Sequence, residues 1–254
     1  MFLTNLQDLS KTNLEIISLI INSCDQQLKE SLLQALFYPA ISNHNFELVE
    51  YLLKENIIYD DSLINAVSSN DYEIVELILK YKNDSDFINQ GSYNGTPLII
   101  AVKNNNYFAV KKLLSMPSIN PNLYDRDDKT ALMRAVENLN FSIIHVFLSY
   151  YNDKIFDYRS QLDFLLNRLS SSRYSDSSCE KINELFEKLL SFDKFKEILD
   201  ERNHSFLINI CSNESYIDTI KKLLKIKNIN FNVYSPSNGN TPLINAIKNK
   251  KEEE

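Results

Sequence analysis

Apolar residues fall in paired short clusters: Leu98, Ile99, Ile100 and Ala101, then Val110, Leu113 and Leu114, with the polar triple Asn104-Asn105-Asn106 between them. Each cluster has the three- and four-residue spacing of one helix face, and the polar triple predicts a tight turn. The pattern returns as Leu132, Met133 and Ala135, followed by Ile144, Phe147 and Leu148; Thr96 to Thr130 and Val110 to Ile144 are both 34 residues. Two landmarks shifting by the same amount define a repeat, and its unit is helix, turn, helix. A third copy of the opening stretch, Asn240-Thr241-Pro242-Leu243-Ile244-Asn245-Ala246, lies near the end of the chain.

The residues at the helix starts have local reasons to be there. Thr96 can accept an orphan amide, Pro97 suits the first helical position, and Ala101 leaves room for a neighbouring helix. Asn45, Asp71, Asn106 and Asn140 precede Phe46, Tyr72, Tyr107 and Phe141 and are suited to cap the second helices. The aromatic stripe that follows these caps is expected in the core. Asn122, Asp125 and Asp128 predict a hairpin-like connection between units.

The same spacing organises the rest of the chain. A helical N-terminal cap is expected over 1–28, then repeats over 29–58, 59–92, 93–125, 126–157, 158–202 and 203–236, with a partial repeat over 237–254, all in a single array. Pro39 inside the first unit predicts a distorted helix. Leu162 to Phe186 spans 24 residues where Leu98 to Val110 spans 12, so the fifth unit has an insertion of about twelve residues. Its Ser170 to Ser178 composition predicts a solvated loop, in which Ser175 is a conceivable kinase target. Phe192 to Leu199 have the pattern of a further helical turn. Because the last unit stops after its first helix, Leu243 and Ile247 are expected to lack cover, through fraying or because the natural polypeptide continues.

Composition narrows the function. At 254 residues with 44% hydrophobic content the chain can bury a sizeable core, and three glycines argue against a dinucleotide-binding sheet. A net charge of −7 disfavours nucleic acid, which needs a concentrated basic surface. Three unpaired cysteines, the absence of a signal-like N-terminus and the lack of any long apolar run predict an intracellular, cytoplasmic protein with no membrane span. His44, His145 and His204 lie in different units, and the Asp125 to Asp128 run lacks the glycine and spaced ligands of a calcium loop. No phosphate loop, nucleophile elbow or zinc motif occurs, so no enzyme activity, cofactor or metal is expected.

Thr96-Pro97-Leu98 with Ala101, and Thr241-Pro242-Leu243 with Ala246, resemble the ankyrin repeat, whose mark is Thr-Pro-Leu-His-x-Ala. Ile99, Met133 and Ile244 stand at the His position, and glycine is scarce at the turns. The resemblance implies an all-α solenoid of stacked helix-turn-helix repeats with hairpin-like loops. It also implies a monomeric protein-protein interaction module that binds another protein through the concave face of its first helices and its finger tips. On this mapping the candidate contacts are Asn65, Tyr93, Ile100, Lys103, Tyr124, Arg126, Asp127, Arg134, Glu137, Asn209, Tyr234 and Asn245, with Pro236 a further tip. Ile100 is expected to be an exposed apolar contact or else buried against the adjacent unit, and Arg134→Glu to weaken binding while leaving the array folded. The alternative is a structural or targeting segment of a larger protein whose activity lies beyond residue 254.

Overall fold

The structure, a computed structural model, describes residues 11–150, 158–170, 176–191, 204–213, 216–226, 229–235 and 238–250. The first ten residues of the expected cap, Ser175, Pro236 and the expected helical turn over Phe192 to Leu199 lie outside them. Two compact units divide the chain, Met1–Arg134 and Ala135–Glu254.

The first unit contains α1 (Lys11–Ser23), α2 (Gln26–Ser42), α3 (Phe46–Lys54), α4 (Ser62–Ser68), α5 (Tyr72–Tyr81), α6 (Ser85–Asn89), α7 (Pro97–Lys103) and α8 (Tyr107–Leu114); α9 (Ala131–Glu137) spans the boundary. The second contains α10 (Phe141–Ser149), α11 (Tyr158–Ser170), α12 (Asp176–Leu190), α13 (His204–Ile210), α14 (Ile217–Leu223) and α15 (Pro242–Lys250). In the first unit α2, α4 and α7 pack side by side in one row and α3, α5 and α8 in another, and each first helix packs on the second helix that follows it. In the second, α11, α13 and α15 form one row and α10, α12 and α14 the other. Among the described residues the only strand-like pairing is a single bridge, Ser92 to Gly95.

The repeat landmarks are the core of this packing. Phe37, Leu63, Leu98, Leu132 and Leu207 are buried on first helices, with Ala40, Ala66, Ala101 and Ala135 beside four of them. Val49, Leu52, Leu53, Val75, Ile78, Leu79, Val110, Leu113, Leu114, Ile144, Phe147 and Leu148 bury the facing side of the second helices. A helix of seven to nine residues is too short to persist alone in water, so the stacking is what holds it. At the C-terminal helix Leu243, Ile244 and Ile247 are exposed.

Caps fix where each helix begins. The hydroxyls of Thr96, Thr130 and Thr241 accept from the amides of Ile99, Met133 and Ile244 at 3.3 to 3.4 Å. Asn45, Asp71, Asn106 and Asn140 accept from Leu48, Ile74, Ala109 and Ile143 at 2.9 to 3.2 Å, as their positions predict. Three of these caps also donate their own amide back to the landmark alanine, Asn45 to Ala40, Asn106 to Ala101 and Asn140 to Ala135, at 2.8 to 2.9 Å. The interhelix turn is therefore the same object each time.

That turn needs a residue in the left-handed region, and here it is supplied without glycine by His44, Asn70, Asn105 and Leu139, with φ between 50° and 60°. Asparagine tolerates this conformation because its side chain bonds locally, whereas leucine pays a steric cost of about 1 to 2 kcal/mol. Leu139→Asn is accordingly expected to stabilise the protein by about 1 kcal/mol, seen as a higher melting temperature. An unchanged or lower melting temperature would show that the Leu139 side chain contributes more by packing than its backbone loses.

α2 is continuous through Pro39, whose ring removes the helical bond that an amide there would make to the Ala35 carbonyl. Two local expectations need correction. The fifth unit does not spend its insertion on a Ser170 to Ser178 loop: Ser170 ends α11, and 176–178 open α12, so two helices of 13 and 15 residues absorb most of the extra length. The aromatic stripe is not core, since Tyr72, Tyr107 and the adjacent Phe108 are exposed and Phe46 and Phe141 are half-buried. A short helix that the apolar pattern did not reveal, α6, is capped by Asp84 and buries Phe87 and Ile88.

Candidate protein-binding surface

The first unit concentrates its unusual chemistry where two hairpin-like loops meet. Ser92 and Gly95 exchange both backbone bonds at 3.0 Å, leaving Tyr93 and Asn94 at the tip. Gly95 has φ +116°, and a Cβ there would lie 2.8 Å from the Ile99 side chain and 3.3 Å from Asp125, so this position has to be glycine. The close approach brings Asp125, on the next loop, in against the start of α7.

Asp125 is the centre of the site. Its carboxylate is fully shielded and receives Lys103 Nζ, Arg134 Nε and Arg134 Nη2, each at 2.8 Å, on Oδ2. Its Oδ1 accepts from the amides of Asp127 and Lys129 at 3.0 and 3.3 Å. Burial pushes this carboxyl upward, but the Lys103, Asp127, Arg134 and Lys129 donors outweigh it and hold it down at about 2. Lys103 also donates to the Asn94 carbonyl at 2.8 Å, and Arg134 Nη2 reaches on to Asp127 Oδ2. One carboxylate thus ties both loops to the first helices α7 and α9.

On top of this network lie exposed side chains. Tyr93 is 76% exposed and Tyr124 50%. The Arg126 guanidinium lies over the Tyr93 ring, 4.6 Å from its centroid, joining the two finger tips in a cation–π contact. Of the sequence-derived candidates, the structure brings Tyr93, Lys103, Arg126, Asp127 and Arg134 together in this way. Asn65 is half-buried on α4, its amide nitrogen donating to the Asp61 carbonyl at 2.9 Å.

Ile100 is only 6% exposed, so it is not an exposed contact. Pro97, Leu98, Ile99, Ala101 and Val102 are buried as well, and a helix apolar on every side is covered on every side. Arg134 is also misplaced by the expectation that Arg134→Glu would leave the fold intact. The substitution would face Asp125 and Asp127 with a third carboxylate and remove the donors that hold Asp125 charged.

In the second unit Tyr234 is 67% exposed, and Glu137, Asn209 and Asn245 are half-buried. Asn245 accepts from Asn240 at 2.8 Å, and Lys248, in the place of Lys103, donates to the Asn240 side chain at 3.1 Å. A landmark lysine reaching back to the loop asparagine ahead of its helix is thus used twice. Asp125 is the residue that sequence reasoning left off the site; its signal was the nine-residue interval to Arg134, the same as from Asn94 to Lys103. His44 takes part elsewhere, its Nδ1 pairing at 2.9 Å with Asp71, the α5 cap. Among the described residues no group of His, Cys, Asp or Glu is arranged to hold a metal, and no helix is long and apolar enough to cross a membrane.

Residues 63–157 match the family model for ankyrin repeats in three copies. No curated protein matches the chain in sequence. Among solved structures the chain is similar to EF0377, described as an ankyrin repeat protein, at 18% identity and a TM-score of 0.55, covering 78% of this chain and 96% of that one. It is similar also to the ankyrin repeat domain of Bcl-3, described as a unique member of the IkappaB protein family, at 15% identity and a TM-score of 0.56, covering 83% of this chain and 92% of that one. Residues 63–157 are thus ankyrin repeats, and the chain shares the fold of the solved ankyrin-repeat structures.

Proposed function

We propose that the chain is a non-catalytic, monomeric, cytoplasmic module that binds another protein through its finger tips and the polar side of its first helices. Ankyrin repeats are in general protein-protein interaction modules, and stacking leaves this edge of each helix pair unconsumed. The observation that carries the reading is the pairing of exposed Tyr93, Tyr124 and Arg126 with a buried Asp125 network beneath them. Tyrosine and arginine are the residue types that most often anchor an interface, and a loop held in advance loses little freedom on binding. Lys103, Asp127 and Asn65 supply polar rim contacts in the same unit, and Tyr234 is the corresponding tip in the second.

The test is affinity capture from the source cell with the wild-type chain beside a Tyr93→Ala, Tyr124→Ala double variant whose circular dichroism and melting match it. A partner bound directly by the wild-type chain is expected to bind the double variant at least about 30-fold more weakly, as loss of two anchors implies. Equal binding by both would place the interface elsewhere.

A further inference from the structure

The two arginines at the start of the fourth repeat, Arg126 on its loop and Arg134 on α9, have opposite fates. Arg134 is 17% exposed at its side chain and saturated by Asp125 and Asp127. Arg126 is 51% exposed; its nearest carboxylate oxygen, Asp127 Oδ1, is 3.7 Å from Nε, beyond hydrogen-bonding distance, and Asp127 is already engaged by Arg134. Among the described residues Arg126 makes no hydrogen bond. Around Asp125 the three cations Lys103, Arg126 and Arg134 face the two carboxylates Asp125 and Asp127, while Lys129 and Asp128 alongside offset each other. The surplus positive charge is therefore located on Arg126, at the solvent side of a chain whose net charge is −7.

The Arg126 guanidinium is held over the Tyr93 ring while about half of its side chain stays open to solvent. A planar fork with a free edge matches a carboxylate, which it can hold through two parallel N–H···O bonds. A cation already resting on an aromatic face has also lost much of the side-chain freedom that such a contact would otherwise cost.

We propose that the finger tips of the first unit recognise an acidic protein segment, with an Asp or Glu carboxylate of the partner bound edge-on by Arg126 over Tyr93. This rests on the reading that the finger tips are the binding surface. It identifies the partner's chemistry at one contact: an acid flanked by residues that can pack on Tyr93 and Tyr124.

The probe is a displayed library of random dodecapeptides selected on the immobilised full chain, with the selected peptides then made synthetically and their affinities measured by fluorescence anisotropy. Selected peptides are expected to be enriched in Asp or Glu. Arg126→Ala is expected to weaken them about 10- to 100-fold, the range for a charge-assisted hydrogen bond, and Arg126→Lys to restore only part of the loss. Changing the acid of the peptide to its amide should have little further effect in Arg126→Ala, because the two changes remove one interaction. Peptides that are not acidic, lose affinity with Tyr93→Ala or Tyr124→Ala, and ignore Arg126→Ala would overturn the acidic partner and leave the finger-tip reading standing. Peptides indifferent to all three substitutions would overturn both. Arg126 and Tyr93 are exposed, so these variants are expected to fold, and matched melting curves would verify it.

Discussion

Asp125→Ala is expected to lower the stability of the first unit by about 3 kcal/mol, toward the lower end of the range for broken buried ion pairs. The carboxylate is fully shielded, and its loss leaves Lys103, Arg134 and the amides of Asp127 and Lys129 without their acceptor. The lower end applies because Lys103 and Arg134 each keep an edge toward water. Asp125→Asn preserves shape and one acceptor and should cost less. Urea unfolding followed by circular dichroism measures both, and a cost below about 1 kcal/mol for Asp125→Ala would mean that the network adds nothing beyond a surface pair.

The same group gives the protein a stability slope at low pH. Its folded value of about 2 lies below the ordinary 3.8, so the folded state favours the ionised form. The stabilisation is therefore complete above about pH 4 and is lost as pH falls through about 2, amounting to roughly 2 kcal/mol. Asp125→Asn should flatten stability in that window and leave the slope at higher pH unchanged.

This centre shows where the sequence was readable and where it was not. Thr96, Pro97, Leu98, Ala101 and the second-helix caps could be placed from spacing alone, since a short helix pair has few ways to bury Leu98 and Val110 together. Exposure was harder to read. Counting from the landmark alanine puts Ile100 on the open side, but the run Pro97 to Val102 is apolar throughout, and the alternative of burial against the adjacent unit is the one the structure follows. Tyr72 and Tyr107 share a helix with buried residues, yet they stand in its first turn at the end of the pair, where their rings reach past the packed layer.

Composition misled at the fifth unit for another reason. Serines suggested a loop, but Ser170 turns its hydroxyl onto the Leu166 carbonyl at 2.7 Å and stays helical. The apolar series Cys179, Ile182, Phe186 and Leu189 keeps helical spacing almost to the start of α12, and all four are buried. Periodicity was the better guide there. What no spacing could supply was Asp125's fourfold coordination by residues from its own loop and two helices, because charge pairing across repeats depends on how close the Gly95 turn allows the loops to come.

Phe186→Ala is expected to cost about 3 to 5 kcal/mol in the second unit. Phe186 is 1% exposed on α12, and its ring meets Phe206 of α13 edge-on at 5.2 Å and Tyr216, at the start of α14, at 6.1 Å. Tyr216 in turn donates its hydroxyl to the Leu169 carbonyl at 3.2 Å, so α11 is tied to the same point. Removing the ring opens a cavity where four helices meet, and the Tyr216 tether keeps the walls from collapsing to fill it. Phe186→Leu retains most of the volume and should lose about 1.5 kcal/mol or less, which separates the cavity from a general intolerance of change at this position. Denaturant unfolding together with hydrogen exchange at the α12 amides distinguishes the two. If Phe186→Ala proved as mild as Phe186→Leu, the ring would not be the element that joins these helices, and the second unit would have to be held by its aliphatic contacts alone.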